Sequence, residues 1–234
     1  MFCYLPESRP PDIRKNEIST EITCREKRPM LKQNRILILY IIIFFLALIL
    51  SGIHPKDQLV WFLEVSPAVM ALAILAVSFK KFRFSNLVYF LILVHSIVLM
   101  IGGHWTYAEV PFFNWLRDIG IFSRNNYDKV GHFMQGFVPV LVAREVIIRK
   151  DIVNGGRWTN FFSIAVVLAA SACYEFIEWW ISLLSGSRGD AFLGTQGYTW
   201  DTQSDMFFCL IGAVAAIMTL ARIHDRMIRD SQHS

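Results

Sequence analysis

Charge is scarce in this chain: Asp, Glu, Lys and Arg make up 18% of its 234 residues, against a hydrophobic share of 54%. That balance, with a mean hydropathy of +0.42, excludes an ordinary soluble domain of this size. Cysteine is scarce too. Cys3, Cys24, Cys173 and Cys209 show neither a CxxC pair nor any metal-ligand spacing, which leaves no zinc-ribbon or dithiol signature; the last two fall in apolar runs and read as small buried hydrophobes. There is no P-loop, GxSxG or HExxH motif, so the common signatures of phosphate binding, serine hydrolysis and zinc proteolysis are missing. No internal repeat is visible. The basic residues sit in short clusters beside apolar runs and not along one soluble face, which gives nucleic-acid binding no footing.

What the chain does have is six apolar segments, 36–53, 59–79, 87–103, 130–148, 161–184 and 206–223. Each is close to the roughly 20 residues that a helix needs to cross the hydrocarbon core, and helices satisfy their own backbone hydrogen bonds in lipid. The predicted fold is all-α, a polytopic membrane protein of six transmembrane helices. The fourth segment is the least apolar, because it carries His132, Gln135, Arg144 and Glu145. Pro67 and Pro139 are expected to mark helix kinks. Residues 35–224 form the membrane domain, with polar cytoplasmic tails at 1–34 and 225–234. The first tail has prolines at 6, 10, 11 and 29 and no sustained apolar period, so it is expected to lack structure. An alternative start at Met30 is equally compatible, since MLKQNRILILYIII has a short basic lead before an apolar run. The polar stretch is longer than the leading region of a cleavable signal peptide, and the first span is expected to stay in the mature protein.

Lys and Arg counts in the connections predict both termini on the cytoplasmic side. The N-terminal tail, the 80–84 link with Lys80, Lys81 and Arg83, the 149–158 link with Arg149, Lys150 and Arg157, and the C-terminal end with Arg222, Arg226 and Arg229 are the basic ones. The two longest loops, 104–129 and 185–205, then lie outside. The first contains VPFFNWLRDIGIF, whose apolar face predicts a short helix lying in the interface.

This orientation gathers Glu64, His104, Asp128, His132, Glu178, Asp201 and Asp205 on the outer side, with Glu175 roughly 13 Å inside its helix end at Leu184. Charge at that depth is expensive and faces a bundle interior or a wet cavity. Asp128 and His132 stand four apart, Glu175 and Glu178 three, Asp201 and Asp205 four, so each pair can share one helical face. One imidazole and up to five carboxylates would hold Mg, Mn, Fe or Ca in preference to a structural zinc, or pass protons between a buried Glu and His132. The metal-ligand candidates are Asp128, His132, Glu175, Glu178, Asp201 and Asp205; the acid, base or ligand candidates are Glu175, Glu178 and His132. Plainer roles compete. Asp128 stands where an N-cap belongs, and Asp201 or Asp205 can serve as a cap or dipole partner. His132 is as readily a hydrogen-bonded structural histidine, and solitary His95 reads as a satisfied core residue. Arg144 and Glu145 read as snorkelling or locally paired. Glu175 and Glu178 have no such explanation, because they interrupt AASACYEFIEWWISLL where capping has no use for them. Trp179, Trp180 and Trp200 read as an interfacial belt, and Gly131 and Gly136 as sites of close helix approach.

The stretches YDKVGHFMQGFVPVLVAREV, YEFIEWW and GTQGYTWDTQSDMFFCLIGA resemble the YjdF-like family of small bacterial multi-pass proteins, over about residues 30–225. The resemblance implies an inner (plasma) membrane location and a topology rather than a reaction. A weaker resemblance, to VanZ-like membrane proteins, rests on Asp128, Lys129, His132 and Phe133, then Glu175 and Glu178, then Arg188, Asp205 and Gly212; that pattern tends to have Gln at Glu178 and Asn at Cys209. The leading reading is a cell-envelope protein whose outward site binds a cation or a polar, headgroup-like ligand. As an enzyme it would use the metal to activate water or orient a phosphate. A proton- or cation-coupled transporter and a structural, partner-binding membrane protein are the alternatives.

Overall fold

The computed structural model describes the backbone of residues 13–185 and 196–232 and the side chains of 33–184 and 196–230. Among the described residues it is helical throughout: α1 (Ile13–Gly52), α2 (Gln58–Ser78), α3 (Asn86–Trp105), α4 (Pro111–Asp118), α5 (Tyr127–Phe137), α6 (Pro139–Arg149), α7 (Gly156–Ser185) and α8 (Asp201–Gln232). Six spans are long and apolar enough to cross a membrane: Gln33–Gly52, Gln58–Ser78, Asn86–Trp105, Tyr127–Arg149, Gly156–Leu184 and Asp201–Asp230. They coincide with the six apolar runs but reach further into polar sequence. The fourth and sixth start at Tyr127 and Asp201 because the charged residues there point into the bundle, as set out below.

Two expectations need correcting. α1 begins at Ile13, so most of the segment expected to lack structure is helical; a helix already nucleated by an apolar run extends at little further cost through the sequence joined to it. Cys173 lies exposed on the outside of the bundle while Cys209 is buried, because the helical turn carrying Glu175 and Glu178 inward turns Cys173 out. Residues 186–195, with Arg188 and Gly194, lie outside the described residues.

α2 runs uninterrupted through Pro67. Pro139 instead divides the fourth span: α5 ends at Phe137 and α6 starts with Pro139 at its first turn, where its missing N–H costs nothing. The predicted interfacial helix is α4, with Phe112 and Trp115 exposed. Trp179, Trp180 and Trp200 are exposed as well.

The core has two larger parts and a small one of Tyr107, Val110 and Tyr127 beside the start of α5. Val88, Val138, Val140, Leu141, Val167, Cys209 and Ala213 join α3, α6, α7 and α8, and Phe44, Val65, Ala68, Leu93 and Met100 join α1, α2 and α3. α5 lies tightly along α8 at two glycines. A methyl at Gly136 would land on the Cys209 carbonyl, and one at Gly212 on the Phe133 carbonyl. Because backbone is what it would strike, Gly136→Ala is expected to cost about 1–3 kcal/mol or more, read as a lower thermal midpoint of the purified protein; an unchanged midpoint would contradict this packing.

Candidate functional site

Three helix ends meet at one end of the bundle: the start of α5, the last turns of α7 and the start of α8. Asn125 sets the first of these. Fully buried, it donates from Nδ2 to the Val110 carbonyl at 3.1 Å and to Asn114 Oδ1 at 2.9 Å, and its Oδ1 accepts from Tyr127 N. Gln196 clasps its backbone, donating to the Asn125 carbonyl and accepting from Asn125 N, so the segment before α8 is tied to the one before α5. The N-cap of α5 is Asn126. Asp128 therefore stands in the first turn with its carboxylate directed along the helix to His132, and the capping role considered for it is not the one it has.

His132 is the centre of the cluster. Its Nε2 lies 3.3 Å from Asp128 Oδ1 and 3.7 Å from Asp205 Oδ2, and its Nδ1 lies 3.8 Å from Glu175 Oε1 and 2.9 Å from Gln135 Oε1. Asp128, His132, Glu175, Glu178, Asp201 and Asp205 are all buried. One ligand atom each from Asp128, His132 and Asp205 fall within 4.8 Å of one another. A cation at ordinary bond lengths of roughly 2.0–2.2 Å spaces neighbouring ligands by about 3–4 Å, so a modest contraction would close the three around an ion. Asp128 Oδ2 and Glu175 Oε1 are buried without a hydrogen-bond partner.

The six carboxylate and imidazole candidates are thus gathered, but not equivalently. Asp201 turns away from His132 to Arg124, at 2.8 Å, and to Lys129, at 3.4 Å. Glu178 lines a cavity of about 90 Å³ beside His132, together with Glu64, His95, Tyr107, Asp128 and Tyr174. His95 Nε2 is buried there with no hydrogen-bond partner. The expectation of a satisfied core histidine fails because α3 turns that ring toward polar neighbours that do not reach it. Tyr107 packs its ring against Gly131 and Tyr127 and shares the cavity wall with Glu64. Burial pushes its phenol well above the ordinary value, which keeps it a donor.

Sequence reasoning named Lys129 only within the VanZ-like resemblance and gave it no role in the site. It is buried, ion-pairs with Asp205, and lies 3.5 Å from Asp128 Oδ2, and so neutralises part of the cluster. Its place directly after Asp128 at the start of an apolar helix was the available signal. Lys129 and Arg124 also line a neighbouring cavity of about 560 Å³ with aromatic walls from Phe113, Phe122, Phe133, Tyr198 and Phe208.

A second buried network stands at the opposite end. Glu145 and His224 are fully buried. Glu145 accepts from Ser85 N at 2.9 Å, Ser85 Oγ at 2.7 Å and Arg149 at 3.0 Å, and lies 3.1 Å from His224 Nε2. Arg144 pairs with Asp225 at 2.6 Å and donates to Asn160 at 3.0 Å. Arg144 does not snorkel, and its partners Asn160 and Asp225 lie on α7 and α8. Glu145 is locally paired with Arg149 four residues on, as its spacing allowed, while its other partners, Ser85 and His224, lie at the start of α3 and on α8, beyond the reach of local spacing.

A bundle of six apolar spans enclosing buried ionic networks at both ends defines a polytopic membrane protein with an internal polar site. Residues 36–226 match the family described as "Predicted membrane protein (DUF2238)", and the chain belongs to it. It is 48% identical to the "Inner membrane protein YjdF" of Escherichia coli (strain K12) over 185 residues, which is 79% of this chain and 88% of that protein. No solved structure matches. The chain is a multi-pass inner-membrane protein, in agreement with the first of the two resemblances; these findings do not bear on the VanZ-like one.

Proposed function

We propose that the cluster is a divalent-cation site facing the outside of the inner membrane, used in a cell-envelope role. The observation that carries the reading is the approach of ligand atoms from Asp128, His132 and Asp205 within 4.8 Å, next to two carboxylate oxygens without hydrogen-bond partners. Buried anions without enough partners are costly, and a bound cation offsets that cost. The three are the first ligands; Glu175 is next in reach, Glu178 serves from the adjoining cavity, and Asp201 positions Lys129 and Arg124. Oxygen-rich donors with one imidazole suit Mg, Mn, Fe or Ca. The aromatic cavity bearing Arg124 and Lys129 favours a polar, headgroup-like ligand approaching that cation from the side.

Metal analysis of the purified protein tests the site. One equivalent of a divalent metal is expected in wild type and little in His132→Ala; wild type without metal, after preparation free of chelators, would contradict the reading. The outward orientation rests on the Lys and Arg bias and has its own test. In a cysteine-free background, Ser123→Cys is expected to react with an impermeant maleimide in intact cells and Asn154→Cys only after lysis. Labelling of both from one side would refute this topology.

A further inference from the structure

Away from the carboxylate cluster, α1 and α2 leave an apolar groove. They are tied at their loop end, where the Trp61 indole donates to Ser51 Oγ at 3.1 Å, and both then pack on α3 rather than along each other. The groove between them has a volume of about 520 Å³, with Phe44, Leu72, Ala76 and Leu93 in its walls. Along α1 it extends from Asn34 to Phe44 and along α2 from Ala68 to Phe79. At 1.5 Å per residue that is about 15 Å, half the hydrocarbon thickness and so the depth of one leaflet.

Its mouth is basic. Arg83 donates to Asn34 Oδ1 at 2.7 Å and lies 5.1 Å from the Phe79 ring centroid, and both of those residues line the groove. Arg35, Lys80 and Lys81 follow Asn34 and Phe79 directly in the chain, are exposed, and have no carboxylate partner among the described residues. Four cations at the end of an apolar slot one leaflet deep match an anionic phospholipid: a phosphate for the mouth and an acyl chain for the slot. We propose that the groove binds one anionic phospholipid in the leaflet opposite the carboxylate cluster. A juxtamembrane cation attracts such a lipid by about 1 kcal/mol, and the slot supplies what a basic surface alone lacks, a fixed place for the chain.

Native mass spectrometry of the full chain released from nanodiscs of equal phosphatidylglycerol and phosphatidylcholine reads the retained lipid. Wild type is expected to keep one phosphatidylglycerol. The combined Arg35→Gln, Lys80→Gln, Lys81→Gln variant is expected to lose the preference by about fivefold for each cation removed while still keeping a phosphatidylcholine. Ala76→Trp, which fills the slot, should retain neither; Leu72→Phe probes the same wall if that variant does not fold. Equal retention of the two lipids by wild type, or retention unchanged by a filled slot, would overturn the proposal. So would a wild-type dimer made monomeric by the filled slot with its lipid intact, which would make a second copy of the chain the occupant.

Discussion

Lys129→Met is expected to destabilise the metal-free protein by about 3–5 kcal/mol, the usual cost of removing one partner from a buried ion pair. The lysine is buried among Asp128, Asp201 and Asp205; without it Asp201 keeps Arg124, while Asp128 and Asp205 are left to His132. The loss follows less from the pair's net worth than from the carboxylates left behind in a poorly solvated place. The variant has a second expected property that a purely structural lysine would not confer. With one positive charge gone, a divalent cation is held more strongly, so Mn²⁺ should raise the melting midpoint of Lys129→Met more than that of wild type, as stabilisation by a ligand that binds only the folded state requires. Thermal unfolding with and without Mn²⁺ reads both effects. A variant as stable as wild type without metal, or one that Mn²⁺ does not restore, contradicts this account of the cluster.

Glu145→Gln is expected to be as damaging, but with no change in metal binding. Glu145 accepts four hydrogen bonds or ion contacts within a fully buried setting, from the backbone and hydroxyl of Ser85, from Arg149 and from His224. An amide of the same shape turns an N–H toward donors on one side or the other and removes the charge that Arg149 and His224 face. About 3–5 kcal/mol is the expected loss, measured by the same unfolding experiment, and the metal content per folded molecule should remain that of wild type because the network stands at the opposite end of the bundle. A Glu145→Gln protein that unfolds at the wild-type midpoint would show that these contacts hold little of the fold together. One that folds but loses its metal would show that the two ends are coupled.

The spans were legible because the bilayer sets a length and forbids unpaired backbone, so apolar runs such as 36–53 and 87–103 report themselves. Glu175 and Glu178 were legible for the converse reason, as charges in a run where neither capping nor solvent explains them. Lys129 and Glu145 were not. A lysine at a helix start reads as a loop charge, and a glutamate near a helix end reads as a snorkelling one, until the partner helices are placed; Ser85, Asp205 and His224 stand 60–79 residues away from them. His95 was misjudged for the same reason, since what decides its role is the unsatisfied Nε2 facing a cavity, a property of four helices and not of one. The reach of α5 and α8 beyond their apolar runs, to Tyr127 and Asp201, has the same origin: charge that pairs across the bundle is no bar to burial.

The most direct measurement is pulsed electron paramagnetic resonance on the protein loaded with Mn²⁺. The account predicts one tightly held ion whose spectrum carries the coupling of a single imidazole nitrogen, with that coupling absent from His132→Ala and the ion itself lost from Asp205→Asn. Mn²⁺ that stays fully hydrated in wild type, or a nitrogen signature that survives in His132→Ala, would contradict it.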